Sequence, residues 1–555
     1  MSRLSAATAR AIELQVMWSR LAAVVEEQAQ ALIRTAFSPI VRECGDISAG
    51  IFDTDGRMLA QAVTGTPGHV NTMAEGAKHF LHAFPVSAMR PGDIYATNDP
   101  WLATGHLNDI LLLAPVFHKD ALIGFVSCTS HLYDLGGVGM GPDGSDVFDE
   151  GLLIPMVTLV DSGSINQLLL EMIKANSRAP ISNEGDLYAL ISCCEVGALR
   201  LVEMMDEFAI DRLDELADYI CETSHHATLE AIREIPPGVY HNSMRVDGYE
   251  SEIELRVALS VNDDSMIADF SGSSPCSEKG VNVPINYTAA YATFGLRCIV
   301  GRGIPNNAGS LEPFRVTSQE STILSAPRPA PVAMRHIFGH LVSDLVIGCL
   351  DQAIPGVVPA ESCSVMWDIP LRNGSVVMPG ETRTAFAIEL THHGGMGARP
   401  DKDGLSVTAF PSGVWGSQVE TTETVAPVRI LRRELRPDTG GAGRFRGGLG
   451  QVIELESSES APISFFGAVD RMEHPARGRD GGLPGACGRI TLSSGRELSG
   501  KGKQTIPAGE RLVFETPGGG GYGPPRDREL QRVIADVRAG LVSPEEAAAV
   551  YGAEL

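Results

Sequence analysis

Two stretches carry side chains that could do chemistry. TGHLNDILLLAPVF (104–117) sets His106 and Asp109 three apart just before an apolar run. GFVSCTSHLYDLGG (124–137) ends a second apolar run on His131, with Asp134 three residues beyond. Imidazole nitrogen and carboxylate oxygen suit Zn²⁺, Mn²⁺ or Fe²⁺ and leave positions open for water or substrate. Residues three apart on a strand point to opposite faces, so His106 and Asp109 converge only if Gly105–Asp109 is a turn at a strand edge. If the two runs pair as a hairpin turning at His118–Asp120, their far ends lie side by side and bring His106, Asp109 and His131 together. A fourth oxygen would come from Asp46 in VRECGDISAG, or from Glu43. On spacing alone a second reading stands beside this one, in which each histidine and aspartate caps a strand end or a turn.

Other signals are weaker. GMGPDG (139–144) satisfies G-x-G-x-x-G, but no strand leads into it and Pro142 and Asp143 oppose a helix start, so it reads as a loop. No G-x-x-x-x-G-K-[ST] occurs, so the chain offers no nucleotide cradle of its own. ELTHHGGMGARPDKDG (389–404) places His392 and His393 beside glycines and Arg399, and these three, with His69 of GTPGHV, are candidate substrate contacts. GIPNNAGSLEPF and TPGGGGYG are tight-turn sequences whose N–H groups could meet an anion, or simply turn the chain.

The elements that must position these residues can be read from periodicity. Residues 8–35 repeat apolar side chains at helical steps, and DISAGIFDTDGRMLAQA alternates and turns at Asp55-Gly56 as a hairpin does. Residues 164–235 read as mostly helical. Composition shifts at EIPPGVYHNSMRVDG, after which short alternating segments punctuated by Gly and Pro predict strands, with a helix in 332–353. The last thirty residues read as two short helices, the second starting at Ser543-Pro544. The expected architecture is α+β and multidomain: an N-terminal α+β region (1–240) with the metal-site candidates, a β-rich domain (241–524) with inserted helices, and a helical C-terminal tail (525–555).

Composition narrows the class. A chain of 555 residues exceeds what one core organises. A formal charge of −25 argues against a nucleic-acid or anionic-membrane binder, which need a positive field. No window approaches the ~20 apolar residues of a membrane span, and the N-terminus has no secretory pattern. Ten cysteines without metal-finger spacing suggest reduced thiols and a cytoplasmic setting.

The same stretches, with PGDIYATNDPW, DEGLLIP, GIPNNAGSL, THHGGMGARPDKDG and TPGGGGYG in this order, resemble the hydantoinase B/oxoprolinase family along nearly the whole chain. The resemblance implies one half of a two-component enzyme, partnered by a hydantoinase A-type subunit with an actin/hexokinase-like ATPase fold, in a heterotetramer or larger assembly. Relatives divide into ATP-dependent hydrolases of cyclic amides (hydantoins, 5-oxoproline, lactams) and ATP-dependent ketone carboxylases. The family's ligand pattern, His-x-x-Asp with a histidine 25 residues beyond the first, falls on His106, Asp109 and His131, and its upstream acid corresponds to Asp46. The expected activity is that of a cyclic amidohydrolase: the partner, using ATP and Mg²⁺, phosphorylates the amide, and a divalent ion here, Zn²⁺ or Mn²⁺, activates the attacking water. Asp134 and Glu150 are the candidate proton acceptors. Ketone carboxylation is the second expectation, and a non-catalytic scaffold for the ATPase the third.

Overall fold

The computed structural model describes residues 6–63, 65–373, 386–459 and 461–553. Its first half is organised by a seven-stranded sheet of β1 (Ile47–Phe52), β2 (Met58–Gln61), β3 (Ile94–Thr97), β4 (Asp109–His118), β5 (Ala121–His131), β6 (Val157–Asp161) and β7 (Ser164–Ile165), in the order β2-β1-β5-β4-β3-β6-β7. Every neighbouring pair is antiparallel.

The unbroken apolar run of β4 follows from burial on both faces, which removes the usual polar alternation. Ile110, Leu112 and Ala114 pack into the core beneath the long helices Ala6–Thr35 and Pro180–Glu207. Leu111 and Leu113 point the other way, onto Met73 and Phe80 of the helix Pro67–Ala83. Each such leucine, fully buried, contributes about 1.5–3 kcal/mol of transfer free energy. The hairpin expected at His118–Asp120 is present, with Lys119 and Asp120 at φ 49° and 64°, the left-handed pair that matches strand twist. The β1–β2 hairpin turns at Gly56, φ 77°.

The second half is β-rich, as its composition implied. β8 (Gly238–Val246), β9 (Ile253–Val261), β10 (Met266–Asp269) and β11 (Phe314–Thr317) form one sheet, in which only the β10–β11 pair is parallel. Helices Ile285–Arg297 and Leu341–Ala353 cover it. Two further antiparallel sheets combine β12 (Trp367–Arg372), β13 (Ala387–His392), β14 (Val428–Leu435), β15 (Gln451–Ser457), β16 (Ile463–Ala468), β17 (Arg489–Leu492), β18 (Lys501–Ile506) and β19 (Arg511–Glu515) in the orders β13-β12-β16-β18 and β14-β15-β19-β17. Short helices Leu530–Arg538 and Pro544–Glu546 close the chain, the latter capped by Ser543 Oγ accepting from Glu546 N at 3.1 Å.

The glycine-rich segments are structural. Those around 394–397, 440–450, 478–485 and 517–523 lie against one another, and their backbones bond across: Gly395 N to Pro517 O at 3.0 Å, Gly448 N to Met396 O at 2.8 Å, Gly519 N to Gly448 O at 3.0 Å, Gly521 N to Leu483 O at 2.9 Å. The chains are too close for side chains, since a Cβ on Gly518 would sit 1.7 Å from Thr439 O. TPGGGGYG therefore offers no anion-binding turn, because these N–H groups are already bonded to neighbouring carbonyls.

Candidate functional site

The register of the β4–β5 hairpin builds the site. Asp109, the first residue of β4, lies directly opposite His131, the last of β5. β1 flanks the same end, with Ile47 opposite Ser130, so Asp46 arrives beside them. Residues 101–108 form the turn that the spacing required, with Gly105 at φ 93° and packed against Arg335 and Tyr287. His69 enters from the first turn of the helix Pro67–Ala83.

Asp109 is the hub. Its Oδ1 lies 2.8 Å from His106 Nε2 and 3.0 Å from His131 Nδ1, while its Oδ2 lies 2.8 Å from His69 Nε2 and 2.7 Å from Arg335 Nη2. His131 Nε2 faces Glu389 Oε2 at 3.2 Å, and His69 Nδ1 faces Asp46 Oδ1 at 3.5 Å. Thr66 Oγ1 donates to Asp46 Oδ1 at 3.1 Å. Arg335 is fixed by donating to Thr104 O at 2.7 Å and lies 4.3 Å above the Tyr287 ring. His106 Nδ1 is hydrogen-bonded to Ala333 O at 3.1 Å, so its tautomer is set from behind and Nε2 faces inward.

These groups wall a cavity of about 30 Å³, which Asp368, Glu389, His336 and His340 also line. Three carboxylates, Asp46, Asp368 and Glu389, thus line one small space, with Asp109 behind its histidines, and Arg335 is the only guanidinium lining it among the described residues. Burial works against an imidazolium at His131 and His69, but Glu389 and Asp109 for the first, and Asp109 and Asp46 for the second, outweigh it and raise both. Burial and the Arg335 charge drive His106 down to about 3, and burial likewise keeps His336 and His340 neutral. Asp368 is pushed well up by burial and by the neighbouring Glu389 charge.

The cage fits a divalent cation on its donor chemistry. His106, Asp109 and His131 present ligand atoms within 4.8 Å of one another, and so do Asp46, His69 and Asp109. His106 Nε2, His131 Nε2 and His69 Nδ1 lie 2.8, 3.2 and 3.5 Å from carboxylate oxygens without hydrogen-bond geometry, and Asp368 Oδ1 is buried without a partner among the described residues. Such orphans are costly unless something else engages them.

Several expected residues lie elsewhere. Asp134 is bound by Arg178 at 2.6 Å and does not line the cavity, so its position gives no access to a water there. Glu150 is buried behind the site, where its Oε1 accepts from Val332 N at 2.6 Å and Ala333 N at 2.7 Å. It thereby steadies the carbonyl that orients His106. Glu43 pairs with Arg42 at 2.9 Å. His392 lies by Phe514, His393 O accepts from Gln451 Nε2 at 3.1 Å, and Arg399 bonds to Asp403 O; none of the three lines the cavity. His69 does reach it, as a partner of two carboxylates.

The sequence reading missed Arg335, His336, His340, Asp368 and Glu389. One signal was available: HIFGH places two histidines at i and i+4, one face of a helix turn. Asp368 and Glu389, on the paired strands β12 and β13, had none.

An α+β chain whose N-terminal sheet ends in a buried histidine–carboxylate cage, completed from the β-rich half, is the class these features define. It belongs to the hydantoinase B/oxoprolinase family, whose model it matches over residues 10–525. It is 27% identical to the B-type subunit of a putative D-/L-hydantoinase of Pseudomonas sp. strain NS671, over 98% of this chain and 94% of that one. It is 28% identical to the beta subunit of the caprolactamase of Pseudomonas jessenii, over 98% of this chain and 95% of that one. The crystal structure of the ATP-dependent caprolactamase of that organism superposes with a TM-score of 0.88 at 26% identity, covering 98% of this chain and 96% of its own. A nucleotide-free acetone carboxylase superposes at 0.86, but at 20% identity, over 98% of this chain and 79% of its own, which speaks for the fold alone.

Proposed function

We propose that this chain is the metal-dependent half of an ATP-dependent cyclic-amide hydrolase that opens a hydantoin, 5-oxoproline or lactam ring. The observation that carries the reading is the buried clustering of His106, Asp109 and His131, and of Asp46, His69 and Asp109, with ligand atoms within 4.8 Å of one another at one small cavity. Relatives named as a B-type hydantoinase component and as the beta component of a caprolactamase support the substrate class and the need for a second component, which on our reading is an A-type ATPase.

His106, Asp109, His131 and Asp46 would hold the ion, Zn²⁺ or Mn²⁺. Bound there, such an ion supplies Lewis acidity that lowers the pKa of a water from about 15.7 toward roughly 7. The rest falls to the chain's own groups. A planar amide resists attack because its nitrogen lone pair is delocalised into the carbonyl. Phosphorylation of the carbonyl oxygen by the ATPase partner removes that stabilisation. Addition of water to the carbon then allows the C–N bond to break with a proton delivered to the ring nitrogen, and the acyl phosphate left behind is hydrolysed by a second water to carboxylate and phosphate. Glu389, in the cavity wall, is placed to take a proton from the attacking water, and Asp368 beside it, kept protonated by burial, to give one up. Neutral His336 and His340 line the same wall, where they can hydrogen-bond the attacking water, and Arg335 is held in place by Asp109.

The test uses the complex purified with its partner. Asp109→Asn and His131→Ala should each lose bound metal and ATP-dependent ring opening across a panel of hydantoins, 5-oxoproline and lactams. Full turnover from a metal-free variant would overturn the proposal. ADP release that responds to ketones and not to cyclic amides would instead favour carboxylation.

A further inference from the structure

The metal cavity, at about 30 Å³, has room for an ion and a water but not for a ring. A larger pocket of about 450 Å³ lies on the other side of one short segment. That segment, Gly65–Asn71, starts the helix Pro67–Ala83 and alternates between the two spaces. Thr66 and His69 line the metal cavity, whereas Pro67 and Asn71 line the larger pocket.

The pocket is chemically distinctive for a chain of formal charge −25: none of its lining residues is acidic, and two are arginines. Arg297 is half-buried and donates to Ile304 O at 2.6 Å and Ser310 O at 3.2 Å, which fixes the guanidinium while leaving other N–H groups unspent. Neither it nor Arg302, which stands exposed at the mouth, pairs with a carboxylate among the described residues, where most other arginines do. Burial without a counter-charge pulls Arg297 down to about 10. Gln61 and Asn71 are held by Asn306, whose Nδ2 donates to their side-chain oxygens at 2.8 and 3.1 Å. Fixed donors, absent acids and a volume in the range of small-molecule sites define a receptor for an oxyanion.

We propose that this pocket is a phosphate-binding antechamber, in which Arg297 and Arg302 hold the phosphate group of the phosphorylated ring across the Gly65–Asn71 wall from the metal cavity. The inference deepens the proposed function and rests on it for the identity of the ring. The phosphate site itself is testable without turnover. The shared chemistry, a phosphate oxyanion, could also arrive as inorganic phosphate, and the experiment separates the two sources.

Inorganic phosphate would be titrated calorimetrically into the intact complex bearing Arg302→Glu, and separately Arg297→Gln, with metal content and thermal midpoint as folding controls. Phosphate affinity should fall at least tenfold in Arg302→Glu, whose side chain is exposed and touches no core, and the metal should be retained. If the phosphorylated ring is the occupant, ADP released per ring opened should also rise severalfold, because the intermediate escapes to water. A lowered phosphate affinity with unchanged ADP-to-product stoichiometry assigns the pocket to inorganic phosphate and overturns the antechamber role. Unchanged phosphate affinity in both folded variants overturns the site altogether, whatever the substrate proves to be.

Discussion

Glu150 offers a sharp test because its position assigns it a supporting role where the sequence suggested a catalytic one. Its carboxyl is buried, and burial first, tempered by two backbone N–H donors, pushes it up to about 8 from an ordinary 4.5. Between those values the folded chain keeps a proton on this group that the unfolded chain has released, so its contribution to stability is full below 4.5 and is lost as pH rises through 8. From pH 5 to pH 9 that loss is on the order of 4 kcal/mol, which for a chain this long is a fall of roughly 3 °C in thermal midpoint. Glu150→Gln keeps an oxygen for Val332 N and Ala333 N and cannot ionise. The difference in midpoint between variant and parent, measured by scanning fluorimetry at fixed scan rate, should therefore widen by about that amount toward alkaline pH, since every other group cancels. Glu150→Ala strands both N–H groups and should cost roughly 2–5 kcal/mol near pH 5, a deficit that shrinks toward alkaline pH as the parent loses its protonated acid. Ring opening should survive in Glu150→Gln. A variant with parental stability and metal content but turnover reduced a hundredfold would show that Glu150 handles protons, and would refute the supporting role.

Further outcomes follow from the same geometry. Asp368→Asn mimics the protonated acid that burial favours, so it should leave stability and metal content intact while lowering kcat about 10²-fold or more, with KM little changed; parental kcat would remove Asp368 from the proton path. Gly519→Ala would drive a Cβ to 2.2 Å from Met396 O, a backbone atom that cannot yield, and should cost upwards of about 3 kcal/mol or prevent folding. Gly303→Ala, with nothing within 4 Å, is the matched control, and equal thermal midpoints for the two would contradict the packing of the glycine segments.

Much of this was legible from short-range pattern. The β4–β5 hairpin, its turn at His118–Asp120 and the convergence of His106, Asp109 and His131 follow from an apolar run, a turn and a two-residue period, all local quantities. Asp46 was reachable because it precedes a strand that pairs with β5. What was not legible depends on contact between distant segments. Arg335 reaches Asp109 across 226 positions, and Glu389 reaches His131 from a strand of another sheet. Neither sits in a motif, because its role is fixed by charge balance in the assembled cavity. The glycine runs misled for a related reason: a turn and a close-packed extended backbone both demand glycine, and only the partner segment decides between them.

The division of the cage between the two halves has a physical consequence of its own. The N-terminal sheet alone would bring Asp46, His69, His106, Asp109 and His131 together with no guanidinium beside Asp109 and no wall behind His106. The segment 332–340 supplies Arg335 to Asp109 Oδ2 and Ala333 O to His106 Nδ1, and Glu150, from the first half, reaches back to pin that segment. Met366 and Val414, from beyond residue 240, pack into the N-terminal core at the same seam and also line the cavity. The centre is thus assembled at the closure of two cores, where buried like charges oppose docking unless a cation offsets them. An ion held by the four N-terminal ligands would offset the approach of Asp368 and Glu389, and whatever it adds to closure, closure adds equally to its binding.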